Sequence, residues 1–270
     1  MTPSRRSLDG RRVPPGANPA VVHLRFLGTG ASGGTPGNGR SRRLESSLLL
    51  TDDSSVVVID LTRDFTRQAE ALERIDAILL THSHRDACGG IAQLRAWARQ
   101  RSHARIDVLA SPETIALLRR RYARLDHCRF IAVRAGDRRR IGRFTVSALI
   151  VPHARDPRNP TLAWKLRAGS ATLVYASDVA RLTGSLRRFC AGANALAIDA
   201  ALWRRRLFSH LAIDEALPEL CRWPIGCILL THIGRSVPVH KRLQREAANL
   251  CPHAKPAYDG MALELAAMSR

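Results

Sequence analysis

Leu79-Leu80-Thr81-His82-Ser83-His84-Arg85-Asp86-Ala87-Cys88-Gly89-Gly90 reads as a turn between two elements of opposite kind. The apolar run over 75–80 has the length and composition of a buried strand, closed by the polar Thr81. Residues 91–100, after the glycine pair, place Ile91, Leu94 and Trp97 on one face of a helix. His82, His84 and Asp86 therefore fall in the connection at the strand's end. Two imidazoles and a carboxylate within five residues can converge on one cation with short side chains, as zinc or manganese requires. Ala87, the next residue, can ligate nothing.

The chain has 270 residues and is 45% hydrophobic, enough for a full core. We expect a single domain over 21–270 behind a basic tail over 1–20, which carries four prolines, two Arg-Arg pairs and few apolar residues. No apolar run approaches the roughly 18 residues needed to span a bilayer, and the N-terminal arginines precede no apolar h-region. The expectation is a soluble, unexported protein of the cytoplasm. Six cysteines, Cys88, Cys128, Cys190, Cys221, Cys227 and Cys251, are scattered without CxxC spacing. They suggest neither a disulfide framework nor a zinc ribbon, and read mostly as small buried hydrophobes.

Forty-three basic residues against 23 acidic ones give a net charge of +20, which draws polyanions and acidic substrates. Lysine occurs only at Lys165, Lys241 and Lys255. A GC-rich genome accounts for that preference for arginine, but not for the excess over acids. Residues 119–143 hold ten arginines and two aspartates, with Tyr122 and Phe130 interleaved. They form the candidate nucleic-acid surface, with a solvated face as the plain alternative.

Strands are expected over 21–27, 47–50, 55–59, 106–109, 130–133, 144–151, 161–166, 173–175, 195–198 and 227–230. Helices are expected over 65–75, 112–123, 182–191 and 213–220. The glycine-rich loop Gly28-Thr29-Gly30-Ala31-Ser32-Gly33-Gly34 matches neither a Walker pattern nor a dinucleotide fingerprint. Two strands joined at Thr51-Asp52-Asp53 instead make the start of the chain an antiparallel meander. One local design recurs: an apolar strand ending in His or Asp, at His82, His153, Asp178, Asp199 and His232. Strand ends open onto one edge of a sheet, so this design gathers ligands from distant sequence.

Five segments, in this order and spacing, carry a family resemblance: Leu24-Arg25-Phe26-Leu27-Gly28-Thr29-Gly30, Ile59-Asp60, Leu80-Thr81-His82-Ser83-His84-Arg85-Asp86, Tyr175-Ala176-Ser177-Asp178-Val179, and Leu230-Thr231-His232-Ile233-Gly234-Arg235. The chain resembles metallo-β-lactamase-fold hydrolases, in the branch that includes PhnP-type phosphodiesterases and ribonuclease Z. The resemblance implies an α/β fold, a four-layer αββα sandwich, with a two-metal centre of Zn2+ or Mn2+. One metal would take His82, His84 and His153, the other Asp86 and His232, with Asp178 between them. The family pattern HxHxDH places a histidine where this chain has Ala87, which implies a weakened second site. Cys88 is adjacent, but one residue of shift on a helix turns the side chain by about 100°.

Two cations sharing a carboxylate acidify a water and clamp the attacked oxygen, and Asp86 would also accept the water's proton. His210, in Phe208-Ser209-His210-Leu211, resembles the family's substrate-side histidine, a phosphate contact or proton donor. Arg235 would clamp an anion. Asp60, Asp64 and Asp199 are expected to organise loops. His23, His103, His127, His240 and His253 have no supporting context and read as structural or surface residues. The cysteine cluster of some PhnP-type proteins has no counterpart over 37–44, and no long tRNA-gripping arm is evident. Three functions follow: a phosphodiesterase acting on a small phosphodiester or nucleotide, an RNA or DNA nuclease, and a metal- or nucleic-acid-binding protein that has lost catalysis.

Overall fold

The computed structural model describes residues 22–102, 105–153, 158–204 and 207–265. The tail expected over 1–20 and His103 lie outside the described residues. The first sheet contains β1 (Val22–Gly28), β2 (Ser47–Thr51), β3 (Val56–Ile59), β4 (Ala77–Leu79), β5 (Ile106–Ala110), β6 (Cys128–Ala132) and the late strand β14 (Ala262–Leu265). The second contains β7 (Arg138–Ile141), β8 (Phe144–Val151), β9 (Thr161–Ala168), β10 (Ala171–Ala176), β11 (Ala195–Asp199), β12 (Cys227–Thr231) and β13 (Ala254–Pro256). The strand orders are β14-β1-β2-β3-β4-β5-β6 and β13-β12-β11-β10-β9-β8-β7. Each sheet changes from antiparallel to parallel pairing partway across, at β3 against β4 and at β10 against β11. The expected antiparallel meander is β1-β2-β3.

The strands alternate as their sequences require. In β1, Val22, Leu24 and Phe26 turn inward while His23 and Arg25 face water. One apolar cluster fills the space between the sheets, with Phe26, Leu48 and Ile59 of the first meeting Phe144, Trp164 and Tyr175 of the second. Two more clusters lie under helices on the outer faces. After the one-turn helices α1 (Phe65–Gln68) and α2 (Arg85–Cys88), α3 (Ile91–Gln100) and α4 (Pro112–Arg121) contribute to the cover of the first sheet, and α5 (Gly184–Cys190), α6 (Ile213–Leu220) and α7 (His240–Leu250) cover the second. This is the four-layer αββα sandwich. No described helix is long and apolar enough to cross a membrane.

The helix expected over 65–75 is only one turn, Phe65–Gln68. The carbonyls that would extend it are held by the neighbouring helix. Trp97 Nε1 donates to Ala69 O (3.2 Å), and Arg101 donates through Nε to Leu72 O (2.7 Å) and through Nη2 to Glu70 O (3.4 Å). Tertiary hydrogen bonds here displace local helix propensity.

Two bonds tie the histidine turn to the opposite sheet. Leu162 N donates to Thr81 O (2.8 Å), and Trp164 Nε1 donates to Leu80 O (3.2 Å). The glycine loop serves close packing, since a Cβ on Gly28 would sit 2.0 Å from Glu45 O. Ala31 N donates to Ile233 O (3.1 Å), bringing the loop to the segment that carries His232.

Candidate metal centre

β4, β8, β10 and β12 deliver their polar ends to one edge of the sandwich. His82 follows β4, and Asp86 lies on the short helix Arg85–Cys88 that starts immediately after His84. His153, Asp178 and His232 follow β8, β10 and β12. Donor atoms of His82, His84 and His153 all lie within 4.8 Å of one another, as do those of Asp86, Asp178 and His232. Asp178 Oδ1 stands 3.4 Å from His232 Nε2 and 3.7 Å from His153 Nε2. All six expected ligands are therefore brought together, in two triplets with Asp178 facing both. His232 (φ 53°) and Asp60 (φ 65°) hold the left-handed backbone region. Such conformations cost about 1–3 kcal/mol and persist where the surroundings enforce them. Ser46 Oγ, accepting from His232 N at 2.9 Å, is one such constraint.

Hydrogen bonding fixes which nitrogens face the centre. Thr81 Oγ1 lies 2.9 Å from His82 Nδ1 and 3.0 Å from each Asp60 carboxylate oxygen. That chain assigns the proton to Nδ1 of His82 and leaves Nε2, buried and without a hydrogen-bond partner, free to ligate. Burial lowers the His82 pKa to about 4, so the imidazole is neutral with its lone pair available. His153 repeats the arrangement, with Nδ1 2.7 Å from Ser209 O and Nε2 toward Asp178. Burial would raise the Asp178 pKa, but the positive charge that the surrounding rings of His232, His82, His153 and His210 carry in acid outweighs it and holds the carboxyl below its usual range. Imidazoles oriented through their remote nitrogens, around a buried carboxylate, suit a divalent cation.

Burial pushes Asp60 well above the usual carboxylate range. Asp60 accepts from Thr81, and Asp64 Oδ2 accepts from Glu45 N (2.9 Å), which makes both residues loop organisers, as their sequence positions suggest. Asp199 goes further. It accepts from Val179 N and Ala201 N and also stands 2.7 Å from His210 Nδ1. Burial opposes a charge on His210, but the Asp199 carboxylate raises its pKa to about 9. His210 thus carries a proton beside the metal-ligand set, with ring centroids 5.0 Å from His153 and 5.3 Å from His232.

These groups line an open cavity of about 650 Å³ that also takes in Ser32, Arg85, Asn159 and Phe208. Arg235 does not line it. Its guanidinium lies 3.4 Å from the carbonyls of Gly33 and Gly34. The Cys88 thiol turns away, 3.3 Å from Ser83 O and 3.1 Å from His84 O, and burial pushes its pKa up to about 12; it does not fill the gap at Ala87. Three partners had no signal in the sequence: the Ser209 carbonyl; Asn159, which reaches His84 Nε2 (3.2 Å) and Ser83 Oγ (2.6 Å); and Glu45, paired with Arg63.

The arginine-rich stretch divides on folding. Arg129 pairs with Asp107, Arg139 with Asp137, and Arg121 donates to Ser83 O. Arg138 and Arg143 instead join Lys165 and Arg167 around a second cavity of about 650 Å³, with Phe189 4.5 Å from the Lys165 ammonium.

A family model described as a beta-lactamase superfamily domain matches residues 55–233, more than half of the 270-residue chain. The chain belongs to this superfamily. Among solved structures of the beta-lactamase superfamily fold, a diphosphatase of the PhnP family is 25% identical, with a TM-score of 0.79 over 91% of this chain and 97% of that one. Zinc-bound PqqB from Methylobacterium extorquens is 21% identical, with a TM-score of 0.74 over 90% and 100% of the two chains. Human short-form tRNase Z is 18% identical, with a TM-score of 0.64 over 90% and 99%. The last two likenesses concern the fold alone. A curated relative, octanoyltransferase of Porphyromonas gingivalis, is 27% identical over 87% of this chain and 50% of its own length. The chain spans half of that relative.

Proposed function

We propose that this protein is a metal-dependent hydrolase acting on phosphodiesters. The observation that carries the reading is the meeting of the two ligand triplets with the protonated His210–Asp199 pair at one cavity. His82, His84 and His153 would hold one cation; Asp86 and His232 would hold the other, with Asp178 between them. Zinc and manganese both suit this donor set, and the missing nitrogen at Ala87 weakens the second position. Metals held there would supply a nucleophilic hydroxide near neutral pH and polarisation of the attacked oxygen.

The chain's own groups do the rest. Asp86, its side chain only 9% exposed, accepts the proton of the attacking water. Asp199 fixes the His210 ring through Nδ1 and holds its charge, so that Nε2 can give a proton to the departing oxygen. Arg235, hydrogen-bonded to the glycine loop outside the cavity lining, would meet only a part of an anionic substrate that extends beyond the cavity. The likeness to a PhnP-family diphosphatase supports a phosphorus ester as the substrate class.

The test is metal content by elemental analysis, together with hydrolysis of bis(p-nitrophenyl) phosphate by wild type and His84→Ala. The expected result is zinc or manganese in the purified protein and a turnover that collapses in the variant. Metal-replete protein inert toward every phosphodiester would overturn the proposal. Binding without catalysis would then stand, unless thioesters or lactones are cleaved, which the same ligands permit and the octanoyltransferase relative makes worth assaying.

The basic cavity bounded by Arg138, Arg143, Lys165 and Arg167 favours a second reading, cleavage of RNA or DNA. Nuclease action predicts steeply salt-dependent cleavage of structured RNA, reduced by Arg138→Ala/Arg167→Ala while the small phosphodiester is unaffected. A flat salt response would exclude it.

A further inference from the structure

On the outer face of the second sheet, far along the sequence from the histidine turn, two cysteines and a histidine meet. Cys221 is the C-terminal cap of α6, Cys251 is the C-terminal cap of α7, and His253 lies two residues on, before β13. Cys251 Sγ stands 3.6 Å from His253 Nδ1, and Cys221 Sγ stands 3.9 Å from the same nitrogen. The three donor atoms lie within 4.8 Å of one another. Tetrahedral zinc with bonds of about 2.3 Å to sulfur and 2.05 Å to nitrogen separates S and N donors by about 3.6 Å. Cys251 already stands at that separation from Nδ1, and Cys221 stands 3.9 Å from it. Cys251 is buried, while Cys221 and His253 are half-buried, so one side stays open to solvent. Both helices also end here, and the negative ends of their dipoles favour a cation.

We propose that Cys221, Cys251 and His253 form a separate thiolate–imidazole site for a soft divalent cation, zinc above all, with water as fourth ligand. Each thiol gives up its proton to solvent as its sulfur ligates. The imidazole contributes Nδ1, the nitrogen within reach of both sulfurs, after a turn of the ring that carries Nε2, now 3.5 Å from Cys251 Sγ, away from the ion. Two thiolates balance the charge of the ion, and its position at the ends of two helices makes it a staple. It pins the ends of α6 and α7 to the start of β13, the edge strand of its sheet. Burial and hydrogen bonding with Cys221 push the Cys251 thiol up to about 12, so ligation there draws on the metal's charge and releases protons.

Cobalt separates this site from the other, because the histidine–aspartate ligands include no sulfur. Metal-free, reduced full-length protein titrated with Co2+ should develop near-ultraviolet thiolate-to-cobalt charge-transfer absorption, saturating at one equivalent for that band. The band should vanish in Cys221→Ser and persist in Cys88→Ala, the control for the thiol beside the histidine turn. His253→Gln, at a half-exposed position, should weaken binding at the band-forming site by about tenfold or more without loss of the fold. A reduced wild-type chain that shows no such band would overturn the proposal. So would a band that survives in Cys221→Ser, or one that His253→Gln leaves at full affinity.

Discussion

Oδ2 of Asp199 lies 2.7 Å from Nδ1 of His210, and the same carboxylate is held by the backbone of Val179 and Ala201. A rigid anion therefore sets both the orientation and the charge of a histidine at the cavity wall. With its pKa raised to about 9, His210 is protonated below that pH and loses the proton above it, so activity should fall on the alkaline side. Asp199→Asn removes the stabilising charge and moves that limb to lower pH. A pH–rate profile of the two proteins checks the shift; coincident alkaline limbs would remove Asp199 from this role.

Proton donation matters in proportion to the leaving group's need for a proton. His210→Ala should lower hydrolysis of an alkyl phosphodiester by about 10²-fold, and that of a p-nitrophenyl ester much less. Equal losses on both substrates would mark His210 as a binding group instead.

Thr81 is the link between Asp60 and His82. Thr81→Val keeps the side chain's shape and the backbone bond to Asp60 but frees the His82 ring. Metal affinity should drop about 10–100-fold, read by competition with a chromophoric chelator. Stability should fall by about 1–3 kcal/mol for the buried polar groups left short of a partner, read by urea denaturation.

Ala87 opens the second metal position. Wild type should show one tight and one weak equivalent at the histidine–aspartate centre, and Ala87→His should tighten the weak one about tenfold or more, or 1.4 kcal/mol. Calorimetric titration in a Cys221→Ser background isolates this centre from the cysteine cluster. An unchanged weak equivalent would show that another group already completes the site.

His240 connects stability to pH. Burial, with the charges of Arg43 and Arg40, lowers its pKa to about 4, and Arg43 Nη2 lies 3.2 Å from its Nδ1. Between about pH 4 and 6.5 the unfolded chain binds this proton and the folded chain does not, so stability falls as the pH is lowered through that window. His240→Gln keeps an acceptor for Arg43 and cannot be protonated. It should lose less stability than wild type, by on the order of 1 kcal/mol, or about 2–4 °C of Tm, after allowing for solvent screening. Melting curves at pH 7 and pH 4.5 give the comparison.

The sequence by itself determined the strands and one edge, and its family resemblance implied the layers. Alternation in β1, the apolar runs of β4, β11 and β12, and the His or Asp closing each strand are local patterns, and strand periodicity leaves such ends little freedom. The family resemblance carried by those segments, rather than any periodicity, implied the set of six ligands and the gap at Ala87. Only the tertiary structure decided what touches those residues. Ser209 supplies a carbonyl to His153, Asn159 reaches His84, and Trp97 with Arg101 halts a helix that Phe65 begins. None of these has a period or spacing, because each depends on how distant segments close over one another. Cys221, Cys251 and His253 are the clearest case. Read along the chain they are scattered and unremarkable, yet the packing of α6 against α7 sets them within bonding distance of one ion. Ligands gathered at strand ends can be read from a local pattern, whereas ligands gathered at helix ends depend on the packing angle between helices, which the fold alone fixes.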